Sequence, residues 1–98
     1  MKYSIKIESE AKEDIQDAID WYNNQKPGLG TLFLEEIKSS IEQLKINPHY
    51  QKRYSEVRCL PTRIFPFMIH FTLDEGESIV IVRGVFHTSI NPKKWKRQ

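Results

Sequence analysis

The chain has 98 residues, 39% of them hydrophobic, and a formal net charge of +2; that is material for one domain, residues 1–98, with a single small core and too little for two. Six Lys against nine Asp or Glu leave residues 1–49 at −3, whereas nine Lys or Arg against four acids leave residues 50–98 at +5. The lone Cys59 excludes an internal disulfide, and the first six residues lack the apolar core of a signal peptide or membrane span, so the expected setting is the cytosol, without membrane contact.

Tyr3, Ile5 and Ile7 alternate with Lys2, Ser4 and Lys6, the period of two that marks a half-buried strand over residues 2–7. Ser9 then stands where a helix cap belongs, followed by Glu10, Glu13 and Asp14, where the helix dipole favours negative charge. Ala11, Ile15, Ala18, Ile19 and Tyr22 fall on one helical stripe behind it. The run Lys26 to Gly30 supplies a turn. Leu29, Phe33, Ile37, Ile41 and Leu44, flanked by Leu32 and Leu34, predict a second helix that stops at Asn47-Pro48. So short a turn predicts an antiparallel helical hairpin.

From residue 56 the pattern turns to β, with strands over 57–60, 65–73 and 78–86 and a hairpin turn at Asp74 to Glu77. The last strand is apolar at both parities, as expected of a strand that is central or covered on both faces. The order β-α-α-β-β-β predicts an α+β domain whose helical hairpin packs on one face of a small antiparallel sheet and leaves the other face free. Pairing Leu73 with Ser78 would set Met68 opposite Arg83 and His70 opposite Ile81. It would also turn Arg83 away from an apolar set of Phe67, Ile69, Phe71, Val80, Val82 and Phe86.

His49, His70 and His87 lack metal-ligand spacing, there is no Cys pair, and Gly28 and Gly30 lie between helices instead of after a strand, so neither a metal nor a cofactor is expected. Cys59 reads as a small buried apolar residue. The informative cluster is basic: Lys52, Arg53, Arg58, Arg63, Arg83 and His87, then Lys93, Lys94, Lys96 and Arg97. Cleavage of RNA by its own 2′-hydroxyl needs a base, fixed positive charge on the phosphorane and an acid at the leaving oxygen. Arg58, Arg63 and Arg83 could supply the charge, and His87, ending a strand where a loop begins, the acid or base. Lys52, Arg53 and the four tail cations suit phosphate or target contacts. Each arginine could equally serve the fold, Arg58 by pairing with Glu56 or an acid of the first helix, Arg83 by holding the C-terminal tail. His70 and Tyr54 read as packing residues, and Trp21, Tyr22 and Trp95 as core in preference to base-stacking platforms.

Taken in order, Asp14 to Trp21-Tyr22, Pro27-Gly28-Leu29-Gly30 to Phe33, Asn47-Pro48, Val57 to Pro61, Phe65 to Phe71, Val85-Phe86-His87-Thr88-Ser89 and Pro92 to Trp95 resemble the RelE/ParE superfamily of toxins from type II toxin–antitoxin modules. The resemblance covers nearly the whole chain. It implies that superfamily's β-α-α-β-β-β fold and a small cytosolic bacterial toxin blocked by a cognate antitoxin, the product of what is often described as a plasmid-stabilisation system. A homo-oligomer within the toxin–antitoxin complex is among the assemblies it allows. It also implies one of two activities, because ParE-like members inhibit DNA gyrase whereas RelE-like members cut mRNA in the ribosomal A site without a metal.

By position, Arg58 and Arg63 resemble the superfamily's basic residues on and after the second strand, Arg83 a strand arginine of the ribonuclease branch, and His87 the residue that opens the C-terminal motif. Relatives usually carry an arginine after the Thr-Ser pair, where this chain has Ile90, and that removes a phosphate-binding charge. Together with a net charge of only +2, this tilts the expectation toward gyrase inhibition over mRNA cleavage, with an attenuated domain that binds only antitoxin as a third reading. The antitoxin is expected to lay an amphipathic helix or an added strand on the sheet edge or the helical hairpin.

Overall fold

In the computed structural model, which describes residues 2–90, strand β1 (Ser4–Ile7) runs almost directly into helix α1 (Ser9–Gln25), and α2 (Leu29–Ile46) follows after three residues. Strands β2 (Lys52–Tyr54), β3 (Val57–Pro61), β4 (Phe67–Asp74) and β5 (Ile79–His87) complete one sheet of order β1-β5-β4-β3-β2. The α+β class is as expected, with the helical hairpin on one face. Two details differ. The sheet has a fifth strand, β2, and it is not wholly antiparallel, because β1 pairs parallel with β5 from Ser4–Ile79 to Ile7–Val82. β1 thereby covers an edge of β5 that would otherwise expose unpaired backbone.

The start of α1 is fixed by the sheet. Glu8, extended at φ −69° and ψ 155°, holds the cap position expected of Ser9, because its N–H still donates to Val82 O at 3.0 Å. Ala11, Ile15 and Ala18 bury against Phe33, Ile37 and Leu44 of α2 and against the sheet, with Ile19 and Tyr22 packed beside them. Each large side chain fully buried there contributes about 1.5–3 kcal/mol. Trp21, expected in the core, is 59% exposed and Leu32 55% exposed, since each lies one position off its helix's stripe. Gly28 enters α2 at φ 91°, a left-handed conformation that suits glycine. Gly30 lies tight against α1, where its N–H donates to Asn23 Oδ1 at 2.8 Å. An α1 side chain thus satisfies one of the donors that the start of α2 leaves open.

The β4–β5 register departs from expectation twice. Ser78 is left-handed at φ 54°, and Asp74 Oδ1 accepts the Glu77 N–H at 3.1 Å. These close a loop over residues 75–78, so that pairing opens at Asp74–Ile79 instead of Leu73–Ser78. A bulge follows, for Phe71 pairs with Val82 but His70 with Gly84, leaving Arg83 as the extra residue. The bulge changes parity. Val80 and Val82 before it and Val85 after it all join the core under the helices, whereas Phe86, expected with them, meets His70 on the opposite face at 4.8 Å. Asp14 of α1 braces the bulge by accepting the Val85 N–H at 3.0 Å through Oδ2. Nor is the face away from the helices bare, as expected from the sequence: Cys59, Met68 and His70 are buried on it, because thiol, thioether and aromatic groups pack together there.

Candidate functional site

Arg58 and Arg83 lie at one level of the sheet, since Arg58 pairs with Phe71 and Phe71 with Val82, next to Arg83. They occupy opposite faces. Arg58 shares parity with the core residue Leu60, and its Nη1 donates to Tyr50 O at 2.7 Å; its buried Nε has no hydrogen-bond partner among the described residues. Arg83 turns to the far face, where Nε donates to Thr72 Oγ1 at 3.1 Å and Nη1 to Glu8 Oε1 at 3.0 Å. The acid proposed for Arg58, Glu56, instead pairs with Lys52 at 2.8 Å, which holds its carboxyl below the usual range.

Arg63 and His87 share one end of the sheet. Arg63 is exposed in the connection over residues 62–66, and Thr88 N–H donates to Pro66 O at 2.8 Å, joining that connection to the segment after β5. His87 pairs with Phe67, whose ring meets the imidazole edge-on at 5.2 Å. The four candidates therefore form no single cluster: two share an end, and two are divided by the sheet. Of the other cations, Lys52 and Arg53 stand on β2, whereas Lys93, Lys94, Lys96 and Arg97, with Trp95, lie outside the described residues.

The buried centre of the far face carries polar groups that sequence reasoning did not assemble. His70 Nδ1 lies 3.1 Å from Tyr54 Oη and 3.6 Å from Cys59 Sγ. The missing signal was β2, without which Tyr54 had no place beside His70. Burial pushes the Cys59 thiol up, and the nearby Arg53 charge opposes this less strongly. A thiol held protonated is a poor nucleophile and a good packing group. Among the described residues no group of three or more His, Cys, Asp or Glu is placed to hold a metal ion, and no helix is long and apolar enough to cross a membrane.

A groove of about 640 Å³ runs between α2 and the 62–66 connection, lined by Leu29, Leu32, Glu35, Arg63, Ile64 and Phe65 among others. Ile64 stands at its rim 83% exposed. The connection is anchored underneath, since Glu36 Oε2 accepts the N–H of Ile64 at 2.9 Å and of Phe65 at 3.0 Å. Thr62 N–H also donates to Phe67 O at 2.9 Å. A fixed backbone thus presents apolar side chains to solvent. With two acids, Glu35 and Glu36, and one cation, Arg63, in it, the lining suits the apolar side of a peptide helix better than a polyanion.

A search of curated proteins by sequence gives no match. Solved structures share the fold. A chain of the chromosomal ParDE toxin–antitoxin system from P. aeruginosa superposes with a TM-score of 0.77 at 17% identity, over 90% of this chain and 98% of that one. A mutant of the E. coli toxin RelE in the free state gives 0.70 at 14% identity, over 91% and 86%. The RelBE2 toxin–antitoxin complex from Mycobacterium tuberculosis gives 0.63 at 13%, over 89% and 99%. The family model described as the ParE toxin of the type II toxin–antitoxin system, parDE, matches residues 5–92, and the chain belongs to that family.

Proposed function

We propose that this toxin, once free of its antitoxin in the cytosol, stops growth by binding and inhibiting DNA gyrase. The observation that carries this reading is the employment of Arg58 and Arg83. Cutting RNA through a phosphorane needs cation, base and acid within hydrogen-bond reach of one phosphate. Here the two strand arginines face opposite sides of the sheet, one bound to Tyr50 O and the other to Glu8 and Thr72. Inhibition by binding asks only for a surface. The match to the ParE family model supports the same reading.

The antitoxin is the partner such a toxin requires, and the groove rimmed by exposed Leu32 and Ile64 offers an amphipathic helix an apolar seat. One observation favours the ribosome-dependent endoribonuclease as a second reading: Arg63 and His87 stand at the same end of the sheet, joined through the Thr88–Pro66 hydrogen bond.

The experiment adds purified, folded protein to gyrase with relaxed plasmid and, in parallel, to translating ribosomes whose mRNA ends are mapped by primer extension. Loss of supercoiling with intact mRNA is expected. New mRNA ends with normal supercoiling would replace the gyrase reading with the nuclease, and no effect in either assay would leave a domain that only binds antitoxin.

A further inference from the structure

His87 ends β5 and opens a tight turn over residues 87–90, closed by Ile90 N–H donating to His87 O at 3.1 Å. Its ring folds back over that turn. Nδ1 lies 3.0 Å from the backbone N of Ser89 and 2.7 Å from Ser89 Oγ. The backbone group decides the chemistry, because an amide N–H can only donate. The ring nitrogen facing it must therefore present its lone pair. In a neutral imidazole one nitrogen carries the hydrogen and the other the lone pair, so the hydrogen resides on Nε2. The ring nitrogen thereby accepts the amide two residues ahead, as Asx side chains do, and the Ser89 hydroxyl can donate to the same lone pair.

Phe67 fixes the ring from the side, with centroids 5.2 Å apart and planes at 77°. Among the described residues the ring's hydrogen bonds are those of Nδ1 with Ser89, and the side chain is only partly buried. The basic nitrogen thus faces the turn and the hydrogen faces outward.

We propose that Ser89 is a positioning residue that holds His87 as an outward hydrogen-bond donor through Nε2–H, and that this donor contacts an acceptor oxygen on the toxin's protein target. The second half rests on the binding reading proposed above. An imidazole used for proton transfer must expose its lone pair or alternate between two protonation states. Here the lone pair is engaged within the turn. Protonation at Nδ1 would set two hydrogens against each other at the Ser89 amide.

The first arm of the test is independent of any target. A long-range ¹H–¹⁵N spectrum of the labelled, purified protein at neutral pH should show His87 with a bare Nδ1 and a protonated Nε2. In Ser89→Pro, which lacks the amide hydrogen, the two tautomers should mix. An Nδ1–H tautomer in the unsubstituted protein would overturn the proposal outright.

The second arm reads growth arrest on induction in cells, whatever the target. Loss of one well-placed hydrogen bond is worth about tenfold in potency, so His87→Ala and His87→Asn should each require about that much more toxin. His87→Gln, whose amide N–H reaches the place of Nε2–H, should recover most of the loss. Equal loss in all three variants, or none in any, would remove the contact with the target. If the tautomer is as proposed and Gln rescues, yet gyrase is unaffected in vitro, then the choice of gyrase fails while the donor stands.

Discussion

Burial decides what Cys59 can do. Its thiol is pushed up by desolvation, which favours the neutral form in the folded chain over the unfolded one. The stability so gained is present below the ordinary thiol range and is lost as the pH climbs through the raised value, in the alkaline limb of a pH–stability curve. In kinetic terms, iodoacetamide should modify native Cys59 at pH 8 at least about tenfold more slowly than the urea-unfolded chain, with mass spectrometry as the readout. Equal rates would mean that the thiol is open. Residues of this kind were legible in the sequence, since a lone cysteine beside leucine on a strand is most often packing. Arg58 was not: its partner is a backbone carbonyl at Tyr50, and nothing in residue type or spacing marks a carbonyl as a partner. An Arg58→Ala variant that loses activity must therefore be checked for folding before any loss is assigned to chemistry.

At the scale of elements, the helices were legible because their apolar stripes repeat with the helical period and their breaks carry Pro, Gly and Asn. β2 was not legible, for Lys52-Arg53-Tyr54 is a short, exposed edge with no alternation to read. Gly30 looked like part of a turn, but it lies inside α2 because the two helices touch there. A Cβ at that position would come within 2.3 Å of Ile19 O, a backbone atom that cannot swing aside. Gly30→Ala should cost about 2 kcal/mol by overpacking and lower the melting temperature by about 10 °C. Gly76→Ala is the control, because its nearest neighbour would be Asp74 Oδ1 at 3.6 Å and its effect should stay within about 0.5 kcal/mol. Calorimetry on the two variants checks both expectations, and similar melting temperatures would show that the helices can move apart at little cost.

For the whole molecule, the dominant feature is that β1, at the start of the chain, pairs with β5 near its end, Ser4 opposite Ile79. Periodicity identified both strands but could not join them, because side-chain pattern records which face a strand buries and not which neighbour it takes. The α1–α2 hairpin and the β4–β5 hairpin are local in sequence, whereas closing β1 onto β5 spends the loop entropy of the whole stretch from Ser4 to Ile79. β1 should therefore dock late. Ile7→Ala, at a position packed against the core, should destabilise by about 2 kcal/mol, mainly by speeding unfolding, with a φ-value below about 0.3. Stopped-flow denaturant kinetics give that value, and a φ near one would place β1 in the folding nucleus.

The surplus residue in β5 bears on how chains of this fold can be compared. Val82 and Gly84 already face adjacent β4 partners, Phe71 and His70, so a chain shorter by the one residue between them would keep every other pairing and every face unchanged. Arg83 is thus an insertion that the ladder tolerates, gripped from outside by Glu8 and Thr72. Counting along the strand from its two ends gives answers that differ by one at this point. Equivalence between this arginine and a strand arginine in another toxin must therefore be decided from superposed backbones, where a gap can fall at position 83 without shifting any other strand pairing.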